Sequence, residues 1–120
     1  MTKSYVPLIE TGFSGSRTDV TPVFADPASF SALINDLTRP FSEIEIDLVA
    51  GIDALGFILG AAIAIKLGVG FIPIRKGGKL PGAVDSKEFF DYSDPAVKQT
   101  HTGDPALCAP RSSNAPVCAA

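Results

Sequence analysis

Two glycine-containing segments hold the residues best suited to bind an anion. The first runs from Gly51 to Gly56 and reads Gly-Ile-Asp-Ala-Leu-Gly. A glycine turn between a strand and a helix exposes backbone amides beside the positive end of the helix dipole. Asp53 could face a bound ligand there or cap the following helix, and the spacing leaves both roles open. The spacing resembles a nucleotide-binding P-loop, but Phe57 and Ile58 stand where that motif requires Lys and Ser or Thr.

The second segment, Arg75 to Lys79, carries three cations and two glycines. Glycines let the backbone approach an anion closely, and Lys and Arg side chains add charge-assisted hydrogen bonds to it. A solvated cationic turn would have the same composition. Because two glycine turns follow neighbouring predicted strands, an anion site with a phosphate-rich ligand is favoured at that sheet edge.

Strand and helix patterns predict an α/β fold with parallel strands. Ile46 to Ile52 is an apolar run that suits a buried strand, and Gly70 to Arg75 is the next strand. An apolar helix between them runs from about Ala54 to Leu67 and ends at Gly68, which suits a left-handed cap. Such a unit should cross over right-handed into parallel pairing. Pro73 indicates an edge position or an irregularity in the second strand.

The flanking segments differ in character. Asp26-Pro27 should begin an amphipathic helix, because Asp caps free amides and Pro fits the first helical position. Residues 82–93 are predicted to form a long mobile loop or a loose hairpin. Residues 94–120 contain four prolines and few large apolar side chains, so a disordered tail is expected.

Composition argues against several classes of protein. A net charge of -3 does not suit a general nucleic-acid binder. Cys108 and Cys118 are too few and too far apart for a disulfide framework or a metal site, so no protein-held metal is expected. The first residues lack the apolar run of a signal peptide, which favours the cytoplasm. The uncharged run from Ala54 to Ile65 is too short to span a bilayer, which takes about 20 apolar residues. His101 lies in the proline-rich tail, so a catalytic role is not expected.

Three blocks of sequence resemble the adenine phosphoribosyltransferases, which have the type I phosphoribosyltransferase fold. They are DPASF at Asp26 to Phe30, DLVAGIDALGF at Asp47 to Phe57, and IRKGGKLPG at Ile74 to Gly82. Their order and spacing match the family, over about residues 16 to 93. The resemblance implies a glycosyltransferase of purine salvage that transfers ribose 5-phosphate from phosphoribosyl pyrophosphate (PRPP) to adenine, with Mg²⁺, giving AMP and pyrophosphate. It implies no nucleic-acid or membrane partner, and either a homodimer or pairing with a full-length relative.

The resemblance also implies roles for individual residues, within a domain of residues 1–93 made of a hood (1–24), a core (25–81) and a flexible loop (82–93). The residues expected to form the pyrophosphate loop are Ile52, Asp53, Ala54, Leu55 and Gly56. The expected catalytic residues are Arg75, Lys76 and Lys79, which would meet the pyrophosphate, and Tyr92 of the flexible loop. The residues expected in the hood over the base are Arg17, Thr18 and Asp19.

Departures from the family pattern bear on activity. Ala54 and Leu55 stand where the family commonly has Ser-Arg, which removes one pyrophosphate contact. Thr18 replaces a common Arg, and Arg17, one residue earlier, would point to the other face of a strand, so another purine could be preferred. After Ser93 no strand with two acids and no Thr-Gly-Gly-Thr-like loop follows, as in a truncated, alternatively spliced or frame-shifted product. Weak or no activity is therefore expected, and a non-catalytic pyrophosphate-binding or partner-pairing module is the alternative.

Overall fold

The structure of the chain is a computed structural model. It describes residues 3–13, 17–82, 84–90, 96, 98–103 and 117–119. The chain divides into two compact units, residues 1–42 and 43–120. The predicted boundary between hood and core, after residue 24, therefore falls inside the first unit. Tyr92, which was predicted to act in catalysis, lies outside the described residues.

The first unit combines a small hairpin with two helices. Strands β1 (Glu10–Phe13) and β2 (Arg17–Asp19) pair antiparallel, with an irregularity in β1. Helices α1 (Thr21–Ala25) and α2 (Pro27–Thr38) follow. A short 3₁₀ turn at Val6–Leu8 precedes β1, and another at Arg39–Phe41 follows α2.

Helix α2 begins where the sequence predicts. The Asp26 carboxylate accepts a hydrogen bond from the Ser29 backbone N–H at 2.8 Å, which satisfies one of the free amides of the first turn. Pro27 occupies the first helical position, where its missing N–H costs nothing. Ile34 is buried, and the Phe30 ring meets Phe24 edge-on with 5.1 Å between ring centroids. The predicted start of the helix at Asp26-Pro27 is confirmed.

In its described residues, the second unit is an α/β sheet with one helix. Its elements in chain order are β3 (Leu48–Ile52), α3 (Leu55–Leu67), β4 (Gly70–Lys76), β5 (Asp85–Phe90), β6 (Lys98–Gly103) and β7 (Val117–Ala119). The five strands lie in the order β5-β6-β4-β3-β7. β3 pairs parallel with both β4 and β7, whereas β6 pairs antiparallel with both β4 and β5. The predicted α/β class and the parallel β3–β4 pair are confirmed, and the sheet as a whole is mixed rather than parallel.

Apolar packing explains why β3, α3 and β4 form. Leu48, Ala50 and Ile72 make a buried cluster, and burying a side chain of the size of Leu or Ile stabilises by roughly 1.5–3 kcal/mol. Helix α3 ends at Gly68, whose φ of 72° is the left-handed conformation predicted for its cap. Gly60 lets the helix approach the sheet, because a Cβ there would lie 2.6 Å from the Phe71 ring.

Pro73 occupies a locally unpaired side of β4. It pairs with Gly51 of β3, while the pairing of β4 with β6 covers Arg75 and Lys76. Within the described residues, the β6 side of β4 therefore has no strand partner at Pro73, so its missing N–H costs no ladder bond there. The edge position predicted from this proline applies to that half of the strand.

The region beyond residue 82 contains more regular structure than predicted. β5 and β6 form an antiparallel pair from Asp85↔Gly103 to Phe90↔Lys98. The loose hairpin allowed for residues 82–93 is therefore half of a pair, whose other half lies in the predicted tail. Within the predicted tail, strands are described at residues 98–103 and 117–119. The sequence does not predict β6, because the strand reads Lys-Gln-Thr-His-Thr-Gly and has no large aliphatic side chain to give an alternating apolar pattern.

Across the described ranges, no helix has both the length and the apolar content that a membrane span requires.

Candidate functional site

The carboxyl ends of β3 and β4 lie side by side, as predicted for the anion site. The register pairs Ile52 with Ile74, so the turn after β3 adjoins the end of β4. The Asp53 backbone N–H donates to the Ile74 carbonyl oxygen at 3.1 Å. In return, the Lys76 backbone N–H donates to Asp53 Oδ2 at 3.2 Å. Two hydrogen bonds therefore join the turn at Asp53 to the end of β4, and one of them reaches the cationic segment.

The turn between β3 and α3 leaves the amino end of the helix open. Ala54 is the N-cap residue, and no side chain of the described residues caps the helix from that position. Of the two roles left open for Asp53, the helix-cap role is not seen, because one oxygen of its carboxylate accepts from Lys76 on β4. The Asp53–Ala54 peptide bond is cis. The Phe57 N–H of the first helical turn donates to the Ala54 carbonyl oxygen at 3.1 Å. The two amides before it have no intrahelical acceptor, so this end of α3 favours an anion.

Gly51 is required by this turn for steric reasons. A Cβ at Gly51 would lie 2.1 Å from the Gly56 carbonyl oxygen and 2.7 Å from the Phe71 ring. The backbone of β3 and the first turn of α3 therefore approach more closely than any side chain would allow. Ile52 and Leu55, with exposed fractions of 40% and 50%, lie on the accessible side of the same turn.

The three predicted cations differ in how firmly they are held. The Arg75 guanidinium carbon lies 5.9 Å from the centroid of the Phe57 ring, and its Nη1 donates to the Lys79 carbonyl oxygen at 3.5 Å. A guanidinium over an aromatic face is attracted by the quadrupole of the ring. Lys76 and Lys79 are exposed. One cation is therefore anchored between α3 and the loop, and two are free to approach a ligand.

Strand β6 reaches the same site, which the sequence does not predict. His101 Nε2 lies 3.4 Å from Asp53 Oδ1, with side-chain exposed fractions of 17% and 14%. The imidazole is stacked on the Phe89 ring of β5, with 4.4 Å between centroids and 11° between planes. A carboxylate therefore does lie close to His101, although it is distant in sequence. Only a prediction of β6 itself could have found this contact.

Two further hydrogen bonds attach β6 to the cationic segment. Thr102 is buried, and its Oγ1 donates to the Arg75 carbonyl oxygen at 3.2 Å. The Gly77 N–H donates to the Thr100 carbonyl oxygen at 2.8 Å. Strand β6 thus supports the backbone from which the three cations project.

The predicted hood residues belong to the first unit. Arg17, Thr18 and Asp19 form β2. Asp19 Oδ1 accepts from the Thr21 backbone N–H at 2.9 Å, and hydrogen bonding to Thr21 lowers the pKa of this carboxyl. Asp19 therefore has a local structural role at the start of α1. A role of these residues in base recognition stays a prediction.

The fold defines the class of protein. The chain is similar to the adenine phosphoribosyltransferase of Giardia lamblia, solved in complex with 9-deazaadenine, with a TM-score of 0.81 and 31% identity over 88% of this chain and 60% of that one. It is also similar to the enzyme of Rhodothermus marinus, with a TM-score of 0.74 and 32% identity over 83% of this chain and 58% of that one. The arrangement is that of the type I phosphoribosyltransferases.

The family within that class follows from sequence similarity. The adenine phosphoribosyltransferase of Dinoroseobacter shibae is 52% identical over 81 residues, which are 67% of this chain and 45% of the relative. No family model matches the chain. The chain carries a segment of the adenine phosphoribosyltransferase family, and it spans about half the length of the curated relatives that it matches.

Proposed function

We propose that the chain binds the diphosphate group of PRPP at the ends of β3 and β4, as part of adenine phosphoribosyltransferase-like purine salvage. The reaction would transfer ribose 5-phosphate to adenine and give AMP and pyrophosphate. The observation that supports this proposal is the junction of an uncapped helix end with a cationic segment, joined by the Lys76 N–H to Asp53 Oδ2 bond at 3.2 Å.

Each group at the junction has a chemical use with a diphosphate. The first amide N–H groups of α3 would donate to phosphate oxygens, and Arg75 would offer a planar fork of donors. Lys76 and Lys79 would act as point charges. Because negative charge grows on the departing pyrophosphate as the bond to the ribose breaks, cations fixed beside it stabilise the transition state more than the ground state.

Mg²⁺ fits this site as a companion of the diphosphate. Among the described residues, no three His, Cys, Asp or Glu side chains come together. Mg²⁺ in proteins is often held by one or two carboxylates together with substrate phosphates. We therefore expect the metal to arrive with PRPP or pyrophosphate, as part of the substrate.

Turnover by this chain is expected to be weak or absent. The sequence after Ser93 contains no segment like the acidic strand and Thr-Gly-Gly-Thr-like loop that would hold the ribose phosphate. The preferred purine stays open, because Thr18 replaces the common Arg of the hood. A cytoplasmic location belongs to the same proposal, since a highly charged substrate does not cross an apolar membrane unaided.

Isothermal titration calorimetry with pyrophosphate and Mg²⁺ tests the diphosphate site. We expect saturable binding by the wild-type chain, weakened at least about tenfold in the Lys76→Ala/Lys79→Ala double variant, since even one hydrogen bond to a charged group contributes about 1.5–3 kcal/mol. Lys66→Ala is the matched control, because Lys66 is an exposed cation in the last turn of α3, at the far end of the helix. Equal affinity in all three proteins, or no saturable heat, would contradict the proposal.

A second candidate function, pairing with another copy or with a full-length relative, is supported by one face of α3. Leu55, Ile58 and Ile65 lie on that face at helical spacing, with exposed fractions of 50%, 43% and 83%. Exposed large aliphatic side chains in a row are typical of association surfaces. Analytical ultracentrifugation tests this proposal: a dimer that Ile58→Lys/Ile65→Lys converts to monomer supports it, and a wild-type monomer at high concentration contradicts it.

A further inference from the structure

We infer that His101 is a positioning residue for the Asp53 turn: with a proton on Nε2, it donates to Asp53 Oδ1 and so fixes the turn for diphosphate binding. The inference deepens the proposed diphosphate site and rests on it. It assigns a role to β6, the strand that the family-like blocks of sequence do not include.

The geometry around Asp53 carries the first step. The carboxylate lies between two strands: Oδ2 accepts from the Lys76 N–H of β4 at 3.2 Å, and Oδ1 lies 3.4 Å from His101 Nε2 of β6. Oδ1 and Nε2 are both buried, and neither has a hydrogen-bond partner among the described residues. A small adjustment of either side chain would join the two unsatisfied atoms to each other.

The tautomer of the neutral imidazole follows from the cost of leaving those atoms unpaired. A neutral imidazole carries its proton on one nitrogen and a lone pair on the other. With the proton on Nδ1, the Nε2 lone pair would face a carboxylate oxygen, and both acceptors would stay unsatisfied in a buried place. With the proton on Nε2, one hydrogen bond satisfies both atoms.

The environment of the ring supports a fixed orientation. Stacking on Phe89, with 11° between the ring planes, restricts rotation of the His101 side chain. Its Cα partners in the sheet are Lys76 of β4 and Lys87 of β5. The backbone of His101 is thereby paired on both sides of β6, and the Phe89 ring fixes the plane of its imidazole beside Asp53.

Nuclear magnetic resonance of the imidazole tests the contact directly. His101 is the one histidine of the chain, so long-range proton–nitrogen spectra contain a single imidazole pattern. At a pH at which the ring is neutral, we expect the pattern of the Nε2–H tautomer. Asp53→Ala, which removes the acceptor, should change this pattern toward a mixture of tautomers. A predominant Nδ1–H tautomer in the wild-type chain, or a pattern that Asp53→Ala leaves unchanged, would overturn the inference.

Two variants at residue 101 separate the donor from the ring. His101→Phe keeps an aromatic ring to stack on Phe89 but removes the donor, and His101→Gln removes the ring but keeps an N–H that can donate. We expect His101→Phe to bind pyrophosphate with Mg²⁺ about fivefold more weakly than wild type, and His101→Gln to stay within about twofold. Circular dichroism spectra identical to wild type would show that both variants fold.

The outcomes distinguish the inference from the proposed function. Wild-type binding with equal affinity in His101→Phe would overturn the positioning role and leave the diphosphate site intact. No saturable heat from the wild-type chain would overturn the diphosphate site, and with it the role of His101 in binding. The tautomer measurement would then still decide whether His101 donates to Asp53.

Discussion

Two regions of the five-stranded sheet are held together by different interactions. Around β3, α3 and β4, the contacts are apolar: Leu48, Ala50 and Ile72 form a buried cluster, and two glycines of β3 and α3 lie against the Phe71 ring. Around β5 and β6, the described contacts are largely polar. They include the Lys98–Glu88 ion pair at 2.9 Å and the Thr102 Oγ1 hydrogen bond to β4 at 3.2 Å.

The difference shows how the candidate site is divided between backbone and side chains. Apolar packing of α3 on the sheet fixes the path of the turn through Asp53, because burial of aliphatic side chains contributes the larger energy. Polar contacts from β6 then orient the Asp53 carboxylate and the cationic segment. They contribute less energy, because a single hydrogen bond contributes about 1 kcal/mol. Substitutions in the apolar region should therefore affect folding, and those in the polar region should affect mainly binding.

The largest expected effect is that of Gly51→Ala. Its Cβ would overlap the Gly56 carbonyl oxygen at 2.1 Å, and a backbone atom cannot swing aside as a flexible side chain would. We expect the free energy of unfolding, measured by urea denaturation, to fall by about 3 kcal/mol.

Gly77→Ala is the matched control for this prediction. A Cβ there would meet Thr100 at an ordinary distance of 3.6 Å, so its effect on unfolding should be within about 0.5 kcal/mol. Equal destabilisation by the two substitutions would show that the β3–α3 turn is not a tightly packed site.

The same comparison explains which parts were predictable from sequence. Apolar runs predict the two strands, at Ile46 to Ile52 and Gly70 to Arg75, and Gly68 predicts the end of α3. The parallel pair and its two turns therefore follow from local patterns. The three cations of the site are local as well. The contact between His101 and Asp53 could not be predicted from the sequence, because it depends on the pairing of the polar strand β6 with β4.

The Arg75 guanidinium belongs to both regions and should be more sensitive than the exposed lysines. The guanidinium lies over Phe57 of α3 and donates to the Lys79 carbonyl oxygen, and the Arg75 backbone carbonyl accepts from Thr102 of β6. Arg75→Lys keeps the charge but loses the planar fork, so we expect pyrophosphate affinity in calorimetry to fall about tenfold. Lys79→Arg should change it by less than about twofold. If Arg75→Lys binds as well as wild type, charge alone accounts for the role of Arg75.

A smaller effect is expected from Thr102→Val, which tests the attachment of β6 to β4. The substitution removes the Oγ1–H bond to the Arg75 carbonyl oxygen in a side chain that is only 4% exposed. We expect the free energy of unfolding to fall by about 1 kcal/mol. Thr100→Val is the control, since Thr100 meets Gly77 through its backbone carbonyl, which the substitution keeps. Equal effects of the two substitutions would mean that the Thr102 hydroxyl does not hold the strands together.

The smallest effect concerns a carboxylate of the first unit, Asp36, which contrasts with the incompletely bonded Asp53. Asp36 accepts from Lys3 Nζ at 2.7 Å, from Tyr5 Oη at 2.9 Å and from Arg39 Nη2 at 2.6 Å. The Lys3 hydrogen bond is the main cause that lowers the pKa of Asp36, and the Tyr5 hydroxyl adds to it. A lowered pKa means that the folded state prefers the ionised form more strongly than the unfolded state does.

The sign of the pH dependence follows from that preference. The stabilisation by ionised Asp36 is fully present above its unfolded value, near 3.8, and is lost as the pH falls through the lower folded value. Asp36→Asn should therefore lower the thermal midpoint modestly at pH 7, by circular dichroism, and the difference from wild type should shrink as the pH approaches 3. A difference that stays constant from pH 7 to pH 3 would mean that Asp36 contributes through shape and neutral hydrogen bonds, which Asn also makes. Asp36 and Asp53 would then differ in how many donors surround each carboxyl group, and the charge of Asp36 would not matter for stability.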